Sequence, residues 1–157
     1  MLRTSGGLLA AWLSTEIIAS ANVYADVIPA RTVALSGQRA PGTGDGIVFG
    51  GGFSFFPAGL AANGRTAFLA SLAGSGVDAE NDDGIWSEAS GSVALVAREG
   101  DPAPGAGAGV VFGQIREVQM NSAGDVAFSA ELRGAGVNET NDFGVWCNAS
   151  GAVLLIA

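Results

Sequence analysis

The sequence predicts an all-β protein of two antiparallel four-stranded units. Three observations predict it: an internal repeat at an offset of 60 residues, apolar residues spaced with period two, and glycine at the breaks between apolar segments. Residues 61–97 align with residues 121–157, and eighteen of these thirty-seven positions are identical. The identities include Gly64 with Gly124, Phe68 with Phe128, Leu72 with Leu132, Trp86 with Trp146 and Gly91 with Gly151. Upstream the offset becomes 63, pairing Pro41 and Gly42 with Pro104 and Gly105, and Phe49 with Phe112. One copy is therefore three residues longer between Phe49 and Gly64.

Period two defines the strands. Val126, Phe128, Ala130 and Leu132 fall on one face while Asp125, Ala127, Ser129 and Glu131 fall on the other, the alternation of a half-buried strand. Thr66, Phe68, Ala70 and Leu72 repeat the pattern. Residues 93–97 and 153–157 are apolar throughout, as expected of a strand covered on both sides. The strands of the second unit are read at 110–120, 125–132, 144–148 and 152–157, and those of the first at 47–56, 65–72, 84–88 and 92–98. Residues 31–42 match residues 94–105 at the offset of 63, which predicts one additional strand of the last type before the first unit. The 25 glycines supply the positive-φ positions that so many reversals need.

Four strands per repeat give each unit the form of a propeller blade, and two blades cannot close a ring. The expected architecture is an incomplete propeller, with a β-sandwich of two sheets as the alternative. The domain organisation is a secretory signal over 1–25, an N-terminal strand and linker over 26–42, repeat unit 1 over 43–105 and repeat unit 2 over 106–157. The leader has Arg3 as its positive start, an apolar stretch from Leu8 to Ile18, and Val23, Tyr24 and Ala25 before the cut. A competing cut after Ala21 would place the mature start at Asn22 instead of Asp26. The apolar run is too short to span a bilayer, so no membrane span is expected in the mature chain, and the protein is expected to be secreted, periplasmic or on the cell surface.

Composition narrows the chemistry. All seven basic residues are arginine, fifteen acids leave a net charge of −8, and histidine is absent. A nucleic-acid partner is excluded on charge, and the commonest general base and metal ligand is missing. Cys147 stands where the first unit has Ser87, so it reads as a packing residue.

The polar stretch holding Asp78, Asn81, Asp82 and Asp83 is the candidate for calcium, an ion that takes six to eight oxygens. Its counterpart has Asn138, Asn141, Asp142 and Phe143, which retains the Asn-Asp-x-Gly-x-Trp frame and loses carboxylates. A turn closed by Asn and Asp side chains on their own backbone explains the frame without a cofactor. Asn81, Asp82, Gly84 and Trp86, with Asn141, Asp142, Gly144 and Trp146, are therefore read as a structural repeat motif. Glu99 and Asp101 read as part of a solvated turn between units. No catalytic residue is assigned.

The run Asn121-x-x-Gly124-x-x-Ala127-Phe128, the Asn-Asp-x-Gly-x-Trp frame, and residues 95–105 with their Arg98, Glu99, Gly100 and Asp101 resemble the uncharacterised N-x-x-G-x-x-A-F tandem-repeat proteins of bacterial cell surfaces. The first unit departs from that pattern, with Ala61 at the asparagine position and Asn63 two residues later. The resemblance implies export and repetition and supplies no activity. Two roles follow: a non-enzymatic structural or interaction module, whose partners are other copies of itself or surface and matrix glycans, or a carbohydrate-binding or glycan-hydrolysing propeller-type module that uses the carboxylates and tryptophans.

Overall fold

Alternating apolar residues leave one face of each strand to be covered, and the chain covers them by stacking two sheets. The computed structural model describes residues 30–51, 55–149 and 151–157, so the leader read over 1–25 lies outside the described residues. No helix occurs among the described residues. The first sheet holds β1 (Val48–Phe49), β2 (Phe55–Leu60), β3 (Thr66–Ala73), β4 (Asp83–Ser87) and β5 (Ala94–Arg98). The second holds β6 (Val110–Met120), β7 (Val126–Gly134), β8 (Phe143–Cys147) and β9 (Leu154–Leu155). Every ladder between them is antiparallel.

The second sheet is the four-stranded meander expected, in the order β6-β7-β8-β9. The first has five strands, because the segment equivalent to β6 is split into β1 and β2, both paired with β3. Phe49 faces Leu72 and Phe55 faces Ala70, whereas Phe112 faces Leu132 and Ile115 faces Ala130. Six residues in unit 1 thus cover a step that three cover in unit 2, which confines the length difference to the stretch between Phe49 and Phe55. Beyond it the ladder continues past the expected end at Phe56 and takes in Pro57, with a register shift between Pro57 and Gly59. A bulge is where a ladder tolerates a residue without an N–H.

Residues 31–35 join neither sheet, although a strand is expected there. They nevertheless lead into a turn that the chain builds twice. Gly37 N–H donates to the Phe49 carbonyl as Gly100 N–H does to that of Phe112, and Phe49 N–H donates to Gln38 as Phe112 N–H does to Asp101. Val33 and Ala34 pack on the first sheet where Val96 and Ala97 pack on the second. The segment has the position relative to the first sheet that β5 has relative to the second, and among the described residues no strand pairs with it.

Within each unit a tryptophan organises the core. Phe49, Phe68 and Trp86 share one face of the first sheet, and Phe112, Phe128 and Trp146 share that of the second. The indole stacks on the second phenylalanine at 6.1 Å in unit 1 and 5.9 Å in unit 2, and meets the first edge-on at 4.9 Å in both. Its N–H donates to the Pro41 carbonyl in one unit and the Pro104 carbonyl in the other, each at 2.9 Å. The ring folds back along its own strand, so a Cβ on Gly84 would lie 2.7 Å from Cη2 of Trp86, and one on Gly144 2.6 Å from Cη2 of Trp146. That overlap fixes the Gly-x-Trp spacing: the residue two before the tryptophan can have no side chain.

The units stack face to back. The Phe112, Phe128 and Trp146 face of the second sheet shares one core with the opposite face of the first, which contributes Ala67, Ile85 and Ala97. Gly144→Ala is expected to destabilise the fold by about 1–3 kcal/mol, the range of forced overpacking. Gly44→Ala, where a Cβ meets only ordinary contact at 3.6 Å from Ile47 Cδ1, should change stability by less than about 0.5 kcal/mol. Urea denaturation of both variants checks the pair, and equal losses would remove the tryptophan from the explanation.

Candidate functional site

The polar hairpin between β3 and β4 is built by side chains closing on their own backbone. Asp78 Oδ1 accepts from the N–H of Glu80 and from Asn81 Nδ2, both at 3.0 Å, while Asn81 Oδ1 accepts from the N–H of Asp78 at 3.3 Å. Asn81 Nδ2 also donates to the Gly76 carbonyl, and Arg98 donates to both the carbonyl and Oδ1 of Asn81 at 2.8 Å. The second unit repeats the turn: Asn138 Oδ1 accepts from Thr140 N–H, Asn141 Oδ1 from Asn138 N–H, and Asn141 Nδ2 donates to Gly136. Asp82 and Asp142 anchor the hairpins by accepting from Leu72 and Leu132 N–H through their carbonyls. Asn-Asp-x-Gly-x-Trp is thus a turn followed by a tucked indole.

The four calcium candidates separate. Asp78 and Asn81 stay in the turn, whereas Asp82 and Asp83 meet Glu99, and the carboxylate oxygens of these three lie within 4.8 Å of one another. They border a cleft of about 290 Å³ at the junction of the sheets, together with Gln114, Glu131 and Arg133. Three carboxylates fall short of the six to eight oxygens that calcium takes, and two of them have protein partners: Ser71 Oγ donates to Asp83 Oδ1 at 2.7 Å, and Ile115 N–H to Glu99 Oε1 at 3.2 Å.

Glu99 corrects the reading of a solvated turn between units. It is 4% exposed, because the turn at Gly100 and Asp101 is bonded to Phe112 on β6 and draws the preceding side chain between the sheets. Burial pushes its carboxyl up to about 7; the Ile115 N–H opposes the shift, the Asp83 and Asp82 charges add to it, and Arg133 opposes it. Asp101 is raised as well, by burial against the attraction of Arg98. The arrangement is suited to holding a proton at the junction in mildly acidic solution. In the repeat alignment Glu99 falls opposite Ser36, so the acid belongs to the seam between units and not to the units themselves.

The remaining singled-out residues are scaffold. Trp86 and Trp146 are fully buried, so neither is available to stack on a sugar ring. Glu88, 6% exposed, accepts from Thr66 N–H and from both Arg31 terminal nitrogens, and the Arg31 hydrogen bond holds its carboxyl below the usual range against the cost of burial. In unit 2, Asn148 Oδ1 fills that role by accepting from Val126 N–H. Ser87 Oγ accepts from Ala89 N–H and Cys147 Sγ from Ala149 N–H, so the cysteine replaces the serine in a turn. Asn121 Oδ1 accepts from Ala123 and Asp125 N–H to close the β6–β7 hairpin, while in unit 1 Asn63 Oδ1 accepts from Arg65 N–H, which accounts for the displaced asparagine. Among the described residues no helix is long and apolar enough to cross a membrane.

Two stacked antiparallel sheets, of five and four strands, define an all-β, sandwich-like fold. The chain belongs to a family of unknown function, DUF7453, whose model matches residues 22–157. Neither a curated protein nor a solved structure matches it.

Because the Glu99 carboxyl is raised from 4.5 to about 7 by folding, the folded chain holds a proton that the unfolded chain releases. Stability from this group is complete below pH 4.5, declines as pH rises to about 7, and is level above it. The loss is on the order of 3 kcal/mol, with Asp101 acting in the same direction. Glu99→Gln keeps an acceptor for Ile115 N–H and should flatten most of that decline in a pH series of denaturation curves. A repeat at pH 8 with millimolar calcium separates proton from cation: stabilisation of the wild type but not of Glu99→Gln would assign the cluster to the ion.

Proposed function

We propose that this chain is an exported, non-enzymatic repeat module whose role is structural, exerted through contacts of its sheet faces. The observation that carries the reading is an unequal pair of faces. Ile85 is fully buried between the sheets, whereas its equivalent Val145 is 36% exposed on the outer face of the second sheet, beside Phe143 at 53% and Ile156 at 63%. A sheet that faces water alternates apolar with polar residues, and this face retains exposed apolar groups at Phe143, Val145 and Ile156.

Supporting considerations come from the sequence. The leader-like first 25 residues and the resemblance to N-x-x-G-x-x-A-F repeat proteins favour export to the cell surface or beyond. The burial of both repeat tryptophans weighs against a carbohydrate-binding role. Expression of the full chain with a C-terminal tag, followed by fractionation and N-terminal sequencing, should recover exported protein beginning at Asn22 or Asp26. The purified protein should not turn over a panel of reporter glycosides. Cytoplasmic protein with Met1 intact would overturn the export, and saturable turnover would overturn the non-enzymatic role.

A further inference from the structure

In unit 1 the asparagine of the turn between β2 and β3 is displaced to Asn63, and the displacement sets it directly before Gly64. Of the chain's seven asparagines it is the one followed by glycine, so the main-chain nitrogen after it has no side chain beside it to hinder attack. Asn63 is exposed at the tip of the hairpin. Its Oδ1 accepts from Arg65 N–H at 3.1 Å, which closes the side chain over the Gly64 peptide, while among the described residues its Nδ2 has no partner. The other turns hold their asparagines differently. Asn121 is tied at both ends, with Oδ1 accepting from Ala123 and Asp125 N–H and Nδ2 donating to Asp125 Oδ2 at 2.8 Å. Asn81 and Asn141 commit Nδ2 to the carbonyls of Gly76 and Gly136.

The turn thus assembles the parts of an intramolecular acyl transfer. Nucleophile and electrophile are separated by a few covalent bonds, so ring closure is unimolecular. Hydroxide removes the Gly64 amide proton, the nitrogen forms a bond to Asn63 Cγ, and the charge that develops on Oδ1 meets the Arg65 N–H already donating to it. The Cγ–Nδ2 bond then breaks, and Nδ2 leaves as ammonia after taking a proton from water. The cyclic imide that remains takes up one water: opening at Cγ gives aspartate at 63, and opening at the main-chain carbonyl gives isoaspartate, with the chain now running through Cγ. In net terms one amide and one water become one carboxylate and one ammonium. The hydrogen bond from Gly64 N–H to the Ala61 carbonyl, 2.9 Å long, opposes the first step. It lies at an exposed hairpin tip, where local opening costs little.

We infer that Asn63 is a self-modifying residue, converting in the folded protein to aspartate and isoaspartate, and that the isoaspartate form loosens the hold on Arg31. The Gly64 carbonyl accepts from Arg31 Nη2 at 3.1 Å, beside the ion pair of Arg31 with Glu88. An extra main-chain methylene next to Gly64 moves that carbonyl and takes the acceptor away from Arg65 N–H. Arg31 then keeps Glu88 alone as its partner. The reaction needs only water and is independent of the role proposed above.

Folded wild-type protein held at pH 8 should accumulate a fraction one charge more negative on anion exchange, and peptide mapping should find the new acid at residue 63 before any other described asparagine converts. Isoaspartyl methyltransferase should label that peptide, and the rate should fall with hydroxide as the pH is lowered. Asn63→Gln, whose longer side chain disfavours the ring, should give no such fraction. Gly144→Ala separates local from global opening. It loosens the second sheet far from the turn, so the rate should not change, whereas chemistry confined to the unfolded chain would accelerate about fivefold or more. Trypsin should cleave after Arg31 faster in the isolated isoaspartate fraction than in the unreacted chain. An Asn63 that stays intact at pH 8, or a rate that rises with Gly144→Ala, overturns the site, and equal cleavage after Arg31 overturns the coupling.

Discussion

Each unit is held closed by one indole. Trp86 and Trp146 lie on the third strand of their meanders, fold back over a glycine two residues earlier, stack on a phenylalanine from the second strand, and hydrogen-bond to a proline carbonyl in the entry loop. The single side chain therefore joins the beginning, middle and end of its sheet. Large aromatic burial is the strongest apolar contribution one residue can make, and the N–H would cost stability if buried without a partner. Both requirements are met only if the glycine, the phenylalanine and the proline occupy fixed places relative to the tryptophan. The glycine, the phenylalanine, the proline and the tryptophan are identical in the two halves of the sequence.

Stacking follows from the same constraint. Once the indole and two phenylalanines occupy one face, that face is too apolar to leave bare, and in the second unit it lies against the back of the first. The seam between them is where the symmetry of the repeat ends. Glu99 has no acidic equivalent in the preceding turn, yet it is drawn inside by the bonds that dock its turn on β6, in reach of Asp82 and Asp83. Glu99, pushed up to about 7 by burial, thus sits between the sheets, where a change of charge acts on their packing against each other.

Much of the fold was legible because its signals are local. Alternation marked β7 and β3 to within two residues at each end, and β6 was bounded at both ends by glycine-containing and Asn-containing turns. The change of offset from 63 to 60 located three extra residues that the structure confines between Phe49 and Phe55. What was not legible depends on neighbours distant in sequence. Pro57 argues against a strand, and only the bulge opposite Phe68 and Ala67 lets it stay in one. Residues 31–35 match a strand in sequence but pair with no strand among the described residues, and a strand is a property of a pair. Glu99 reads as solvated in its glycine- and proline-rich surroundings, since nothing nearby in the chain reports the sheet that closes over it. At the hairpin, sequence comparison of Asp83 with Phe143 favours a turn and gives no sign that Asp82 and Asp83 converge on a third acid from β5's exit.

The bond from each indole to a proline has a consequence for how the chain can be divided. Sequence similarity suggests cutting near residue 43, but the acceptor for Trp86 is Pro41, and the turn that secures it begins at Gly37. A fragment started at 43 would enclose an indole donor with nothing to receive it. One started a few residues earlier would carry the receiving carbonyl along, so the natural parcel of this architecture is a sheet plus the loop that precedes it.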